Sequence, residues 1–304
     1  MSTLKLPQYL QIPHSASERK QAQRLFHGRG HAYEGLQHTT IDWLPPVILI
    51  SLFAPVSNTE ITDLAHTLRQ KFPECRSIQQ QNRYQLSGPM EVIWGESIQH
   101  LTIIEGNLQF HIHLGKTRNT GLFLDMKNGR TWVQQHSRHK RVLNLFAYTC
   151  GFSVAALAGH AKSVLNVDMS RPALTIGREN HRLNRQALTQ VRFEKLNIFK
   201  SFSRFKKRGP FDLLICDPPT LQKGSVDIVQ DYPKILRRLD QFMAPEADLL
   251  LCLNAPELGA DFLHKHMAKL APQYRCIAEI KPPPVYVDAE DKGLKVLHFK
   301  AALP

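Results

Sequence analysis

From residue 141 onward the chain alternates between two patterns. Short apolar runs at 142–146, 163–168, 191–197, 212–217 and 248–254 lack the regular polar alternation of a strand with one wet face. They predict strands buried on both sides. Between them, residues 153–159, 172–186, 228–242 and 257–270 read as helical stretches. Strand–helix alternation of this kind predicts an α/β fold built on a parallel sheet covered on both faces. Ligands of such sheets bind beyond the carboxyl ends of the strands, where the strand order reverses. The N-terminal third reads differently. Residues 18–26 predict a basic helix ending at Gly28-Arg29-Gly30, and 47–53 a β-rich run. Residues 60–72 carry Ile61, Leu64, Ala65 and Leu68 at helical spacing. Residues 101–104 and 110–114 predict strands, the second alternating Phe110, Ile112 and Leu114 with His111 and His113 on its exposed face. The expected organisation is a small α+β domain over residues 1–115 and a larger α/β domain over residues 116–304.

At 304 residues, 42% of them hydrophobic, the chain is long enough for two such cores. The most apolar stretch, residues 43–55, is too short to span a bilayer and is broken by prolines, so no membrane partner is expected. Five cysteines, an odd number without a C-x-x-C pair, argue against a disulfide framework or a structural zinc site. With no apolar leader at the start of the sequence, a cytoplasmic home is expected. The fifteen histidines show no metal-ligand spacing. The net charge of +13 is confined to one block: between Arg130 and Arg208, sixteen Lys and Arg face only Asp168, Glu179 and Glu194, and the rest of the chain balances. Such a block suits a polyanionic partner, nucleic acid first, or equally a solvated basic face with no partner.

The strand ends carry the candidate chemistry. The first strand of the α/β region runs into Phe146-Ala147-Tyr148-Thr149-Cys150-Gly151, a turn that opens a helix and presents N–H groups to an anion. The second ends at Asp168, seventeen residues past Gly151. A carboxylate there, in nucleoside-binding sheets, accepts hydrogen bonds from ribose hydroxyls. Ser170 is placed to cap the next helix, whose first turn accepts Pro172. The third strand ends at Asn197, an amide suited to adenine, and the fourth in Asp217-Pro218-Pro219. The sequence has neither G-x-G-x-x-G after the first strand nor G-x-x-x-x-G-K-[ST], which turns the reading away from dinucleotides and nucleoside triphosphates. A nucleoside with a small zwitterionic tail fits better, and S-adenosyl-L-methionine is such a ligand.

The runs RVLNLFAYTCGFSVAALAGHAKSVLNVDMSRPAL and FDLLICDPPT resemble the class I S-adenosylmethionine-dependent methyltransferases, with their Rossmann-like catalytic domain. More narrowly, together with NTGLFLDMKNGR, they resemble the bacterial large-subunit rRNA methyltransferase K/I group. The resemblance implies a cofactor role for Asn144, Phe146 and the turn Thr149–Gly151 beside the methionine end. It implies the same for Asp168, Met169 and Ser170 at the ribose and Asn197 at the adenine. Thr120, Phe123 and Asp125 would close the pocket, and Asp217 would edge the methyl-transfer site. Its implied partner is RNA, large-subunit rRNA in particular. Two positions depart from the family pattern: Cys150 stands where a glycine is usual, and Asn197 where an acid is common. The type-I members also carry an RNA-binding module of the PUA kind, for which the sequence preceding the similarity is too short; recognition would then fall to the basic segment.

Methylation of cytosine carbon-5 needs a thiolate that attacks the ring. In the family's cytosine-5 members that cysteine follows the fifth strand, where Asn254 aligns here. Cys252 lies two residues earlier in a buried strand and reads as core. Cys216 precedes Asp217, so its side chain points to the opposite face and also reads as core. A base nitrogen is therefore the expected acceptor, with Asp217, Pro218, Pro219 and Asn254 forming the catalytic rim. Type-K members carry DPPT and Asn at these positions and methylate guanine N7; an exocyclic amine oriented by the carbonyls around Asp217-Pro218-Pro219 stays open beside it. Two other readings stay open as well: a methyltransferase of small molecules or proteins, and a non-catalytic RNA-binding protein that retains the fold. Residues 281–286 read as a stiff connector or a substrate gate, Tyr148 and Tyr286 as base-stacking or core residues, and Arg204 to Arg208 as a loop that touches phosphates.

Overall fold

The computed structural model describes residues 6–115, 117–219, 221–222 and 226–301. Thr220, the last residue of the DPPT motif, lies outside them. The chain divides into two compact units, residues 1–125 with 283–290, and residues 126–282 with 291–304.

In the first unit a short helix, α1 (Ala16–Arg19), precedes strands β1 (Gln23–His27), β2 (Thr39–Leu44) and β3 (Val47–Leu52). Helix α2 (Asn58–Lys71) and strands β4 (Ser77–Asn82) and β5 (Met90–Gly95) complete a sheet in the order β1-β2-β3-β4-β5. Strands β6 (His100–Glu105) and β7 (Leu108–His113) form a separate hairpin, in which His111 and His113 are half-buried while Phe110 and Ile112 are buried. The helix expected over residues 18–26 is corrected: it ends at Arg19, and Gln23–His27 is a strand paired with β2. A bulge between Arg24 and Phe26 lets Leu25 and Phe26 both be buried, which breaks the alternation that marks a strand. Strand β4, Ser77-Ile78-Gln79-Gln80-Gln81-Asn82, is polar yet wholly buried. Its amide NH₂ groups find partners sideways: Gln79 Nε2 donates to the Ile98 carbonyl, Gln80 Nε2 to Asn82 Oδ1 and Asn82 Nδ2 to Glu91.

The second unit is the Rossmann-like domain. Helix α3 (Lys127–His136) leads into β8 (Arg141–Leu145), α4 (Gly151–Ala158), β9 (Ser163–Asp168), α5 (Arg171–Leu183) and β10 (Val191–Lys195). Then follow α6 (Phe202–Arg208), β11 (Phe211–Cys216), the short pair β12 (Leu221–Gln222) and β13 (Val226–Asp227), and α7 (Ile228–Leu236). Strand β14 (Met243–Leu253), α8 (Asp261–Leu270), β15 (Tyr274–Glu279) and β16 (Lys295–Ala301) close the unit. The seven-stranded sheet runs β10-β9-β8-β11-β14-β16-β15, parallel except around β16, which is antiparallel to both neighbours. Arg204 to Arg208, expected as a loop, belongs to helix α6, anchored by buried Phe202 and Phe205. The helix expected over 228–242 stops at Leu236, and the one over 257–270 starts only at Asp261.

Alternation along the strands separates the two faces of this sheet. Leu143, Leu145, Leu165, Val167, Leu249 and Leu251 join one apolar core with Phe205 of α6, Tyr232 of α7 and Leu263 of α8. On the other face a directed chain of hydrogen bonds threads the packing. Asn144 Nδ2 donates to Asn166 Oδ1 at 2.8 Å, and Asn166 Nδ2 to Ser153 Oγ at 2.9 Å. Gln186 Nε2 donates to the Val154 carbonyl, so its Oε1 accepts from His181 Nδ1–H at 2.6 Å. His181 Nε2 then accepts from the Ser153 hydroxyl at 2.9 Å. Every donor points the same way along the chain, so each bond polarises the next.

Burial holds His181 at a pKa of about 4, below its ordinary 6.5, against the opposing hydrogen bond to Gln186. As pH falls below about 6.5 the unfolded chain takes up this proton first, so stability drops until pH 4 is reached, by roughly 3 kcal/mol in full. Denaturant titrations at pH 7 and pH 5 are expected to show about 2 kcal/mol of this loss in the wild type and less in His181→Gln; equal losses in the two proteins would exclude it.

The turn after β8 is strained. Phe146, Tyr148 and Cys150 all adopt left-handed backbone, with φ of 58°, 47° and 63°, at roughly 1 kcal/mol each for residues bearing a Cβ. Cys150 is fully buried, and a Cβ placed on Gly177 of α5 would meet its Sγ at 2.4 Å. Gly177 thus makes room for the thiol. Gly177→Ala is expected to cost about 1–3 kcal/mol in the wild type but to be neutral or stabilising beside Cys150→Gly, because Ala is otherwise the better helix residue. A double-mutant cycle by chemical denaturation measures the coupling; additive effects would rule it out.

Candidate active site at the strand carboxyl ends

The strand order reverses between β8 and β11, so a crevice is expected beyond their carboxyl ends. Asp168 organises this end of the sheet. Its Oδ2 accepts the Tyr148 N–H at 2.8 Å, its Oδ1 the Ser170 N–H at 2.7 Å, and its carbonyl the Leu196 N–H at 3.1 Å. One residue therefore ties together the turn after β8, the end of β9 and the exit of β10. Each carboxylate oxygen holds a second lone pair, so the group remains suited to a diol while it fixes the backbone.

The residues expected around it take distinct places. Ser170 caps α5, accepting from the Ala173 N–H at 3.3 Å, and Pro172 sits in the first helical turn. Met169 is 47% exposed, a large apolar side chain next to the organising carboxylate. Asn197 turns its Oδ1 onto the Phe199 N–H at 3.0 Å, capping a short 3-10 turn. Its amide NH₂ makes no hydrogen bond among the described residues, which leaves a donor for a ring nitrogen in addition to the second lone pair of the oxygen. Phe146 is half-buried with its ring 6.2 Å from that of Phe199. Thr149 is buried and its carbonyl accepts from Asn180 Nδ2, while Gly151 starts α4. Asn144 is also buried, its amide committed to Asn166. Thr120, Phe123 and Asp125 lie in the first unit, where the Thr120 carbonyl accepts the His113 N–H and Phe123 is 44% exposed.

At the ends of β11 and β14 one hydroxyl sets the geometry. Tyr232, buried on α7, donates to the carbonyls of Cys216 and Cys252 at 3.2 and 3.1 Å. These distances place the phenol oxygen between the two strands, sharing its single proton. Asp217 follows one of these carbonyls immediately and Asn254 comes two residues after the other, so their spacing is held from the core. Asp217 is half-buried, Pro218 buried, and Pro219 and Asn254 exposed. Cys216 and Cys252 are both fully buried, and burial pushes the Cys216 thiol well up. Burial likewise raises the thiols of Cys75, Cys150 and Cys276. Sequence reasoning misses Tyr232, because a lone tyrosine in an amphipathic helix gives no sign that it bridges two strands.

Among the described residues there is no cluster of three metal-ligating side chains, and no helix is long and apolar enough to cross a membrane. Tyr286, a candidate for base stacking, packs in the first unit, 4.9 Å from the His27 ring and under the Arg24 guanidinium.

Known proteins resemble this chain in sequence and in fold. In sequence, the chain is 31% identical over 243 residues to ribosomal RNA large subunit methyltransferase I of Tolumonas auensis, covering 76% of this chain and 61% of that protein. It is 29% identical over 228 residues to the protein of the same name from Aeromonas hydrophila, covering 71% and 57%. The chain thus spans about three-fifths of the length of these curated relatives. In structure, a methyltransferase solved with SAH superposes with a TM-score of 0.83 at 22% identity, covering 93% of this chain and 76% of that one. The Methanocaldococcus jannaschii tRNA m1G37 methyltransferase superposes with a TM-score of 0.63 at 13% identity, covering 87% and 72%, a likeness of fold. The family model of S-adenosylmethionine-dependent methyltransferases matches residues 23–300, nearly the whole chain, and the protein belongs to that family.

Proposed function

We propose that the protein transfers a methyl group from S-adenosyl-L-methionine to a base nitrogen of large-subunit rRNA, with guanine the favoured base. The observation that carries the choice of atom is the state of the cysteines. Cys216 and Cys252, the two nearest the methyl-transfer rim in sequence, are sealed in the core, and Asn254 occupies the position where cytosine-5 enzymes of this group carry their nucleophile. Covalent attack on a pyrimidine ring needs an accessible thiolate. A ring nitrogen with its own lone pair needs only alignment and exclusion of water. RNA as the substrate is supported by the names of the relatives and by the basic block between Arg130 and Arg208.

The chain's own groups fit the cofactor's chemistry. Bound S-adenosylmethionine supplies an electrophilic sulfonium methyl. Asp168 would hold the ribose through its remaining lone pairs, and Asn197 the adenine. The left-handed turn from Phe146 to Cys150 would present backbone groups to the amino-acid end. Asp217 with Pro218 and Pro219 would orient the acceptor base: the prolines carry no N–H, so this rim offers carbonyls from a backbone with little freedom. Asn254 would face the same base from the neighbouring strand end.

Calorimetry with S-adenosylhomocysteine tests the site. Asp168→Ala is expected to weaken binding at least about a hundredfold, the loss of two hydrogen bonds to a charged group, with Asp168→Asn intermediate. Undiminished binding by Asp168→Ala would remove this residue from the site. The substrate is tested by mass spectrometry of rRNA nucleosides from a strain lacking the protein. Loss of one methylated guanosine, restored equally by wild type and Cys252→Ala, is expected; loss of 5-methylcytosine instead would overturn the choice of acceptor.

A further inference from the structure

The opposite end of the same sheet holds a basic cleft. A cleft of about 630 Å³ opens at the amino ends of β8, β9, β10 and β11, against α6. Five cationic residues line it: Arg141, Arg192, Arg204, Lys207 and Arg208. Three are partly committed to the fold. Arg141 donates to the Arg208 carbonyl and lies over the Phe211 ring, while Arg204 and Arg208 share the carboxylate of Glu194. Lys207 and Arg208 also suit the carboxyl end of α6, where the helix dipole favours cations.

That local role does not account for the rest. Arg192 projects from a strand, not from the helix, and neither it nor Lys207 has an acidic partner within salt-bridge distance among the described residues. Arg208 Nε is buried without an acceptor. The cleft gathers five positive charges against two neighbouring carboxylates, Glu194 and Asp212, the second of which accepts the Arg141 N–H, and leaves a buried donor unused. An anion with several oxygens would answer both features, as phosphates do with guanidinium groups.

We infer that this cleft binds backbone phosphates of RNA, as a second point of attachment separate from the cofactor end of the sheet. The inference rests on the rRNA substrate proposed above. Strand β9 sets the geometry, because it begins at Ser163 in the cleft and ends at Asp168 in the site. Its six residues separate the two ends by roughly 17 Å. An RNA engaged at both must cover at least that distance, several nucleotides of its backbone. Binding in the cleft reads no bases; it anchors and orients the strand.

The exposed pair Arg192→Gln/Lys207→Gln tests this without disturbing the core. Binding of a large-subunit rRNA stem–loop and of a trinucleotide is measured by fluorescence anisotropy over a salt series, with S-adenosylhomocysteine binding as the control for folding. The double variant is expected to keep cofactor affinity and to bind the stem–loop about tenfold more weakly at physiological salt. The slope of log K against log salt should fall by about 2, one for each phosphate that the variant no longer neutralises, while the trinucleotide is unaffected. Unchanged stem–loop affinity and slope in the variant would overturn the cleft and leave the rRNA reading intact. A wild-type protein that binds S-adenosylhomocysteine but no rRNA fragment would overturn the rRNA reading and this inference with it.

Discussion

The carboxylate of Asp168 is the constraint on which the rest of the strand carboxyl ends depends. Its two oxygens and its carbonyl take backbone N–H groups from three different segments, so the ends of β8, β9 and β10 share one anchor. The two bonds to the carboxylate are charge-assisted, a kind about twice as strong as neutral ones. The Tyr148 N–H comes from the centre of a turn with three left-handed residues in five positions. A turn so costly persists only where its surroundings determine it from several sides. Here those are the Asp168 oxygen, the buried Cys150 thiol fitted against Gly177, and the Ala147 N–H donated to the Val167 carbonyl.

Cys150 changes how that turn is specified. A glycine reaches left-handed backbone without steric cost but loses more conformational freedom on folding. The cysteine accepts the backbone strain and adds a buried side chain, which only a glycine on the facing helix can receive. The substitution does not put a side chain toward the crevice, since Cys150 is fully buried and meets α5. Its effect lies in how firmly the turn is set against α5.

How much of this was legible in the sequence follows from which forces leave a local trace. The parallel strands are readable because burial on both faces demands continuous apolar runs, and their expected carboxyl ends lie within two residues of the observed ones. Asp168 and Asp217 stand out by the same logic, as polar residues that terminate such runs, whereas Asn254 rests on the family resemblance. Strand β1 defeats the pattern because a bulge buries two consecutive residues, and β4 because hydropathy does not register a buried strand of polar side chains. Asn144 looks like a ligand-facing polar residue, yet its amide is bound inside a chain of side chains that meets only in three dimensions. The bridging role of Tyr232 is equally nonlocal: its two acceptors lie 16 and 20 residues away.

The basic block shows where counting charges stops being informative. Sixteen Lys and Arg between Arg130 and Arg208 suggest a broad positive face, yet many of them have structural work. Arg130 is buried, Lys140 pairs with Asp248 at 2.5 Å, Arg182 pairs with Glu179, and Arg178 lies over the Phe193 ring. A charge held by a partner contributes little to the field at a distance, because the pair acts as a dipole and salt screens what remains. The effective positive surface is therefore smaller and more local than the net charge implies. What concentrates the remaining charge is topology. The amino ends of four parallel strands converge beside α6, which brings Arg141, Arg192 and Lys207 together from segments up to 66 residues apart. Parallel strands place their carboxyl ends together at the other side for the same reason. Within one sheet, strand direction separates the residues suited to a nucleoside from those suited to polyanions.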